Sequence, residues 1–340
     1  MTRLTRLPLA WHCASSSRAN KPARGAAMLL ALLVVALVAT LAATLTWQQW
    51  RAVQVESAHR ARLQAAWILT GAGDWARLIL REDARSDSAS APRTPPHDHL
   101  GEPWATPLEE ARLSTFLAAQ SDWAPAQGPE AFISGQVTDA QARYNLRNLL
   151  SDDRQVVKEE EAVLRRLCEA AQVGPEVAAQ IVQGLARSWA APTPGGVEGP
   201  AQPLRVQQLE HLAWLGLEAA TVERLRPWVV VLPQRAVLNV NTASAATLAA
   251  VMGVDMAVAE RLARERQSRP FAALDALRGL LPPEVAVDGN RLGVQSGFFE
   301  VRGRLRLEDR VMQEQLLVQR RGLEVTVLRR ERRHLVLPGA

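Results

Sequence analysis

Cysteine is nearly absent from this sequence, which has only Cys13 and Cys168 in 340 residues. Cys13 falls in a basic leader, so the rest of the chain has one thiol and cannot close an internal disulfide. Roughly 290 residues are ample for a core that holds without cross-links. Cys168 sits in the helical run VLRRLCEAA, where an apolar-face position makes it a core residue rather than a reactive thiol. Lysine is scarce too: Lys21 and Lys158 are the only two among 40 basic residues, a bias that fits a GC-rich coding sequence better than a binding surface. Acids are missing from the first 25 residues, which hold Arg3, Arg6, Arg18, Lys21 and Arg24. Beyond them 35 basic residues face 35 acidic ones. The bulk of the chain is neutral, which excludes broad electrostatic attraction to nucleic acid. Catalytic motifs are lacking as well: there is no Gly-rich phosphate loop, no HExxH and no Gly-x-Ser-x-Gly, and the six histidines are scattered. The sequence gives no ground for an enzyme.

Charge is also absent between Arg24 and Arg51. Ala26 to Leu45 reads AAMLLALLVVALVATLAATL, and twenty apolar residues at about 1.5 Å rise each span roughly 30 Å, the hydrocarbon thickness of a bilayer. This predicts a membrane helix. The basic leader places the N-terminus in the cytoplasm and the C-terminal bulk on the far side.

Two processing routes fit the flanks. Small residues in LAATLTW suit ordinary signal-peptidase cleavage. The run Lys-Pro-Ala-Arg-Gly directly before the apolar segment resembles prepilin-type leaders, which are cut on the cytoplasmic side and keep the helix. That resemblance implies cleavage by prepilin peptidase after Gly25 and an N-methylated mature start at Ala26. Such proteins usually carry Glu at the fifth mature position, which here is Leu30. An intramembrane carboxylate is costly unless paired. A subunit with nothing ahead of it in a filament has no need of the pair, so Leu30 either weakens the prepilin-type resemblance or indicates a tip position.

From Trp47 to about Arg81 the sequence predicts an amphipathic stem, weakened locally by Gly71 and Gly73. REDARSDSASAPRTPPHDH then reads as a solvated loop, in which His97 and His99 around Asp98 are too few for a metal set. Glu109 to Ala119 predicts a short helix and Phe132 to Val137 a strand. Helical texture runs from Ser151 to about Leu281, broken by APTPGGVEGPAQP at 191–203. Past Ser296 the residues Phe299, Val301, Leu305 and Leu307 alternate with Glu300, Arg302, Arg306 and Glu308, and two more runs follow, Leu316 to Val318 and Leu323 to Leu328. The predicted fold is α+β: a long N-terminal transmembrane helix and an α/β domain interrupted by a large all-α insertion of helical hairpins. The segments are 1–25 (leader), 26–81 (helix and stem), 82–150 (first part of the α/β domain), 151–285 (helical insertion) and 286–340 (closing strands).

Three stretches of the insertion align on a glycine: QVGPEVAAQIV at Gly174, WLGLEAATVERL at Gly216 and VMGVDMAVAERL at Gly253. An acid follows two residues later (Glu176, Glu218, Asp255) and an alanine four later (Ala178, Ala220, Ala257). This predicts helix, tight turn and second helix, with the acid at the new helix's N-terminus and the alanine allowing close approach. The run from Leu238 to Leu277 resembles the helix-hairpin-helix domain of membrane-anchored DNA receptors, which gives a DNA-binding alternative. Asp255 replaces the second glycine expected there, and its carboxylate would repel phosphate, so the hairpin is read as structural.

Taken together, the chain resembles the type II secretion system minor pseudopilin K, or general secretion pathway protein K. The resemblance is carried by Gly25 with Leu30, Asp98-His-Leu-Gly-Glu-Pro-Trp104, GQVTDAQARYNLRNL from Gly135, Leu238-Asn-Val-Asn-Thr-Ala243 and Ser296-Gly-Phe-Phe-Glu300. It implies a pilin-like α/β domain and a structural subunit in the cell inner membrane, single-pass, with its bulk in the periplasm. Minor pseudopilins I and J, the major pseudopilin and prepilin peptidase are the implied partners. The subunit would cap a pseudopilus, initiate its assembly and support export of folded proteins. The resemblance also implies calcium, but a single acid, Glu198, follows Trp189 where relatives are acidic, which does not support it.

Overall fold

The computed structural model describes residues 24–92, 94–118, 130–190, 204–307 and 310–336. Most of the leader and the 191–203 break with Glu198 lie outside the described residues. The chain divides into two compact units, residues 1–63 and 64–340.

Helix α1 runs from Arg24 to Ser90. In the first unit its side chains have no packing partner face: Leu29, Leu33, Val34, Leu37 and Leu41 are all more than half exposed. An 18-residue stretch here is long and apolar enough to cross a membrane, and none of it is buried. A helix apolar on every side and exposed along this stretch fits a membrane anchor by its length and composition.

In the second unit α1 buries a narrow stripe, Ala65, Leu69, Ala76 and Leu80, at helical spacing. Trp67, Trp75 and Leu78 point elsewhere and remain exposed. The stripe lies on a five-stranded antiparallel sheet. Its strands are β1 (Leu108–Arg112), β2 (Ala131–Asp139), β7 (Phe298–Leu307), β8 (Arg310–Arg321) and β9 (Glu324–Val336), in that spatial order. The alternation expected at Phe299, Val301 and Leu305 is observed: all three face the core. Gly73 is where helix and sheet approach most tightly, since a Cβ there would lie 2.7 Å from Leu316 Cδ1.

Two local expectations are corrected. Glu109 to Arg112 is strand, with helix α2 confined to Leu113–Ala118. Pairing with β2, where Ala111 faces Ile133, overrides the helix propensity of Glu-Glu-Ala-Arg. The stem also continues beyond Arg81 to Ser90, because Asp83 is held by Arg320 of β8.

β2 and β7 are direct neighbours, with Asp139 opposite Phe299. The chain leaves the sheet after Asp139 and returns at Phe298, so residues 140–297 form one excursion from a single end of the sheet. It holds β3 (Tyr144–Asn145), α3 (Arg154–Ala170), α4 (Glu176–Trp189), α5 (Ala219–Leu225), β4 (Val229–Val230), β5 (Leu238–Asn239), α6 (Ala245–Met252), α7 (Met256–Ser268) and β6 (Leu292–Gly293). The two-residue strands pair in parallel, β3 with β4 and β5 with β6. One continuous apolar core, including Leu164, Leu167, Ile181, Leu212, Leu225 and Leu248, fills the excursion.

The repeated glycines mark turns, with differences in detail. Gly216 and Gly253 are left-handed, at φ 89° and 67°, whereas in the first repeat Gln172 takes that role at φ 55°. Glu218 and Asp255 are N-caps of α5 and α7, and Glu176 opens α4. Neither N-cap side chain bonds a helix N–H, so their contribution is charge near the helix dipole. Close approach through alanine holds only for Ala178, which is fully buried. Ala220 and Ala257 are exposed, because α5 and α7 pack through Val222, Leu225, Ala259 and Leu262 instead.

Candidate functional site

The motifs that were distant in sequence meet where the excursion joins the sheet. Asp139, the last residue of β2, is the hub. Its Oδ1 accepts from Gln141 N at 2.7 Å. Its Oδ2 accepts from Thr242 Oγ1 at 2.5 Å, Ser296 Oγ at 2.6 Å and Asn239 Nδ2 at 3.1 Å. Burial pushes the Asp139 carboxyl up to about 6, against the pull of the Ser296 and Thr242 hydrogen bonds. Asn239 reaches further, donating to Asp98 O at 3.1 Å and to Ser296 Oγ at 2.9 Å.

Each motif also pins a neighbouring loop. Gln141 donates to Val237 O at 2.9 Å and accepts from Gly297 N at 2.7 Å, bridging both ends of the excursion. Asn145 accepts from Leu232 N at 3.0 Å and donates to Gln234 O at 2.7 Å, and Asn148 holds both backbone groups of Ala236. Asn241 does the same for Phe271. These amides serve buried backbone that lacks sheet or helix partners. Buried ion pairs flank the hub: Arg143 with Glu300 at 2.7 Å, and Arg291 with Glu160 at 2.9 Å, whose other oxygen accepts from Tyr144 Oη at 2.7 Å.

The expectation of a solvated loop at residues 97–99 is corrected: Asp98 is only 1% exposed. Its Oδ2 accepts from Ser296 N at 2.6 Å and its Oδ1 pairs with Arg320. Arg320 also holds Asp83 at 2.7 Å and lies over the Phe299 ring. His97 Nδ1 meets Pro95 O at 3.0 Å and His99 Nδ1 accepts from Gly101 N at 3.1 Å, so each ring serves its own loop. Glu102 accepts from Trp104 Nε1 at 2.5 Å and from His99 N at 3.2 Å. Burial, with the charge of Asp83 nearby, pushes Glu102 up to about 8, and burial pushes Asp83 up to about 6 despite Arg320.

Asp83, Asp98 and Glu102 bring carboxylate oxygens within 4.8 Å of one another. Calcium does not fit among them. The Arg320 guanidinium already pairs with Asp83 and Asp98, and a divalent cation would meet its fixed charge.

The processing residues lie apart from this hub in the sequence and in the fold's division. Gly25, Ala26 and Leu30 occupy the first turns of α1 and are exposed. Cys168 is fully buried in the excursion's core, and burial pushes its thiol up to about 11, which suppresses the reactive thiolate. In the α6–α7 hairpin, Gly253 N and Val254 N both bond to Ala249 O, at 2.9 and 3.2 Å. Arg166 of α3 covers the turn and donates to Ala250 O at 2.6 Å. Turn amides used inside the chain are not offered to a phosphate, which argues for the structural reading of the hairpin.

Asp139 and Gln141 fell inside a motif quoted from the sequence, without a role assigned to either. Arg320 and Asp83 were not singled out. The one signal at Arg320 is charge at a strand position whose same-face neighbours Val318 and Leu316 are apolar, and Asp83, on α1, carries none.

The chain is similar to proteins of the type II secretion system. Residues 142–234 match the family described as "Type II secretion system (T2SS), protein K". The Type II secretion system protein K of Pseudomonas aeruginosa is 29% identical over 271 residues, covering 75% of this chain and 76% of the relative. That of Pectobacterium carotovorum subsp. carotovorum is 29% identical over 338 residues, covering 91% of this chain and 96% of the relative. Among solved structures, the GspK-GspI-GspJ complex from the enterotoxigenic Escherichia coli Type 2 Secretion System contains a chain of similar fold. The match has TM-score 0.59 and 18% identity, over 81% of this chain and 98% of that one. This chain is similar to the type II secretion system protein K family, in sequence over most of its length and in fold.

Proposed function

We propose that the chain is a non-enzymatic minor pseudopilin that caps the periplasmic pseudopilus. The apolar part of α1 would anchor it in the inner membrane, single-pass, with its N-terminus cytoplasmic. Prepilin peptidase would cut after Gly25 and leave an N-methylated Ala26. The mature subunit would join minor pseudopilins I and J, the chains that accompany GspK in the solved complex, and the tip so formed would initiate assembly on the major pseudopilin and support export of folded proteins.

The observation that carries the tip reading is the excursion of residues 140–297, a second cored body leaving one end of a five-stranded sheet. A body of that size suits the end of a filament and would obstruct stacking within its shaft. Leu30, where a paired carboxylate would serve a subunit with a neighbour ahead, supports the same position. Mass spectrometry of the chain isolated from membranes should find Ala26 as the N-terminus when prepilin peptidase is present, and a retained leader when it is absent. A mature start beyond Leu45 would overturn the reading. Deleting the gene should stop secretion of folded substrates, with Gly25→Val failing to restore it.

A further inference from the structure

A cavity lies under the stem, with three glycines in its wall. Gly135 of β2 lies opposite Gly303 of β7, and the same cross-strand row continues through Glu314 of β8 to Arg332 of β9. Above the row, Gly73 of α1 adds no side chain. The cavity, of about 280 Å³, lies between α1, the sheet and the strap 103–108. Its walls are mainly apolar, with Leu69, Ala76, Trp104, Val137 and Val301 contributing. Glu314 also lines it and is only 2% exposed. Arg332 holds Glu314 Oε2. Oε1 has no hydrogen-bond partner among the described residues, Arg330 Nη1 standing 3.8 Å away. That oxygen lies 3.8 Å from where a Gly73 Cβ would be, which places it at the cavity wall.

A buried charged acceptor without a donor is costly, and apolar space of this size lies at the low end for small-ligand sites. We propose that the cavity binds a small neutral aromatic molecule that carries one N–H or O–H donor. The ring fills the apolar space and the donor bonds to Glu314 Oε1. A neutral ligand is favoured because Arg330 and Arg332 already oppose the Glu314 charge, and a cation would meet both. Trp104, an indole donating to the buried carboxyl of Glu102, shows the same pairing on the cavity's own wall. The inference rests on residues 69–332 alone and is independent of the secretion reading.

The test uses the full chain in lipid nanodiscs and follows 5-fluoroindole and 5-fluorobenzofuran by fluorine NMR, with empty discs as the blank. The two probes have nearly the same shape and differ in the N–H. The indole should bind saturably with a Kd about tenfold below that of the benzofuran, the ratio expected for a hydrogen bond to a charged acceptor. Ala72→Leu, which plugs the cavity from the helix side, should remove binding of both probes while the fold melts normally. Glu314→Leu should equalise them, and if that variant does not fold the wild-type ratio still decides. No saturable binding above the blank, equal affinities in the wild type, or binding that survives Ala72→Leu would each overturn the proposal.

Discussion

The sheet layer and the helical excursion are stabilised in different ways. The excursion has one continuous core of leucine, valine and isoleucine from seven or more elements. The sheet layer has two smaller patches that exist only because α1 lies across the strands, and it shares a third with the excursion, where Val230 and Leu232 meet Phe298 and Leu317. Between the regions this small apolar patch is joined by hydrogen bonds on Asp139, Asn239 and Ser296. A region with its own core can hold its shape alone, whereas a sheet covered by one helix depends on that helix. The polar junction adds directional fixing, which apolar contact does not supply.

The largest expected effect comes from breaking the excursion's core. Ile181 is fully buried, and Ile181→Ala should cost about 2–5 kcal/mol in denaturant unfolding. If the regions differ as described, amide exchange should accelerate across α3 and α4 and leave β7 and β8 unchanged. Equal acceleration in both would make them a single cooperative unit.

The junction should respond less and in another place. Asp139→Asn puts an amide N–H₂ among donors from Thr242, Ser296 and Asn239, at a cost of about 1–3 kcal/mol. Exchange should rise at residues 238–243 and 296–299 while Ile181 and its neighbours stay protected.

How much of this was legible in the sequence divides along the same line. The alternating pattern of Phe299, Val301 and Leu305 and the glycine-turn repeats depend on neighbours a few residues apart, and both appear in the structure. β1 was missed because Leu108 to Arg112 becomes strand only through a partner beyond residue 130. The true end of α1 was missed because Asp83 meets Arg320 across 237 residues. The quoted motifs carried the resemblance to the protein K family, but their convergence on Asp139 could not be read from spacing. Asn239 and Ser296 are polar residues that any loop could carry. Only the parallel pairing of β5 with β6 and the return of the chain to β7 bring them together.

The smallest effect is a pH dependence of the strap that carries Glu102. Its carboxyl is raised from an ordinary value of 4.5 to about 8, so the folded state holds the proton more tightly than the unfolded state does. The stabilisation is complete below the unfolded value and is lost as pH rises through the folded one. The Tm should therefore fall by a few degrees between about pH 5 and pH 8. Asp83 and Asp139, both raised to about 6, act in the same direction over a narrower window. Glu102→Gln should flatten the slope above about pH 6 in calorimetry, and an unchanged slope there would place the titrating group elsewhere.

The pairing of Asp139 with Phe299 has a consequence for how such a protein can change over evolutionary time. The two ends of the excursion are separated by one strand spacing, roughly 5 Å. Material inserted or removed between them leaves that gap unchanged, and the loop-closure cost grows only slowly with length. The sheet is thus indifferent to the bulk of what it carries. A short hairpin turn could occupy the same slot, and the cap could be enlarged, trimmed or exchanged without rebuilding the domain that bears it.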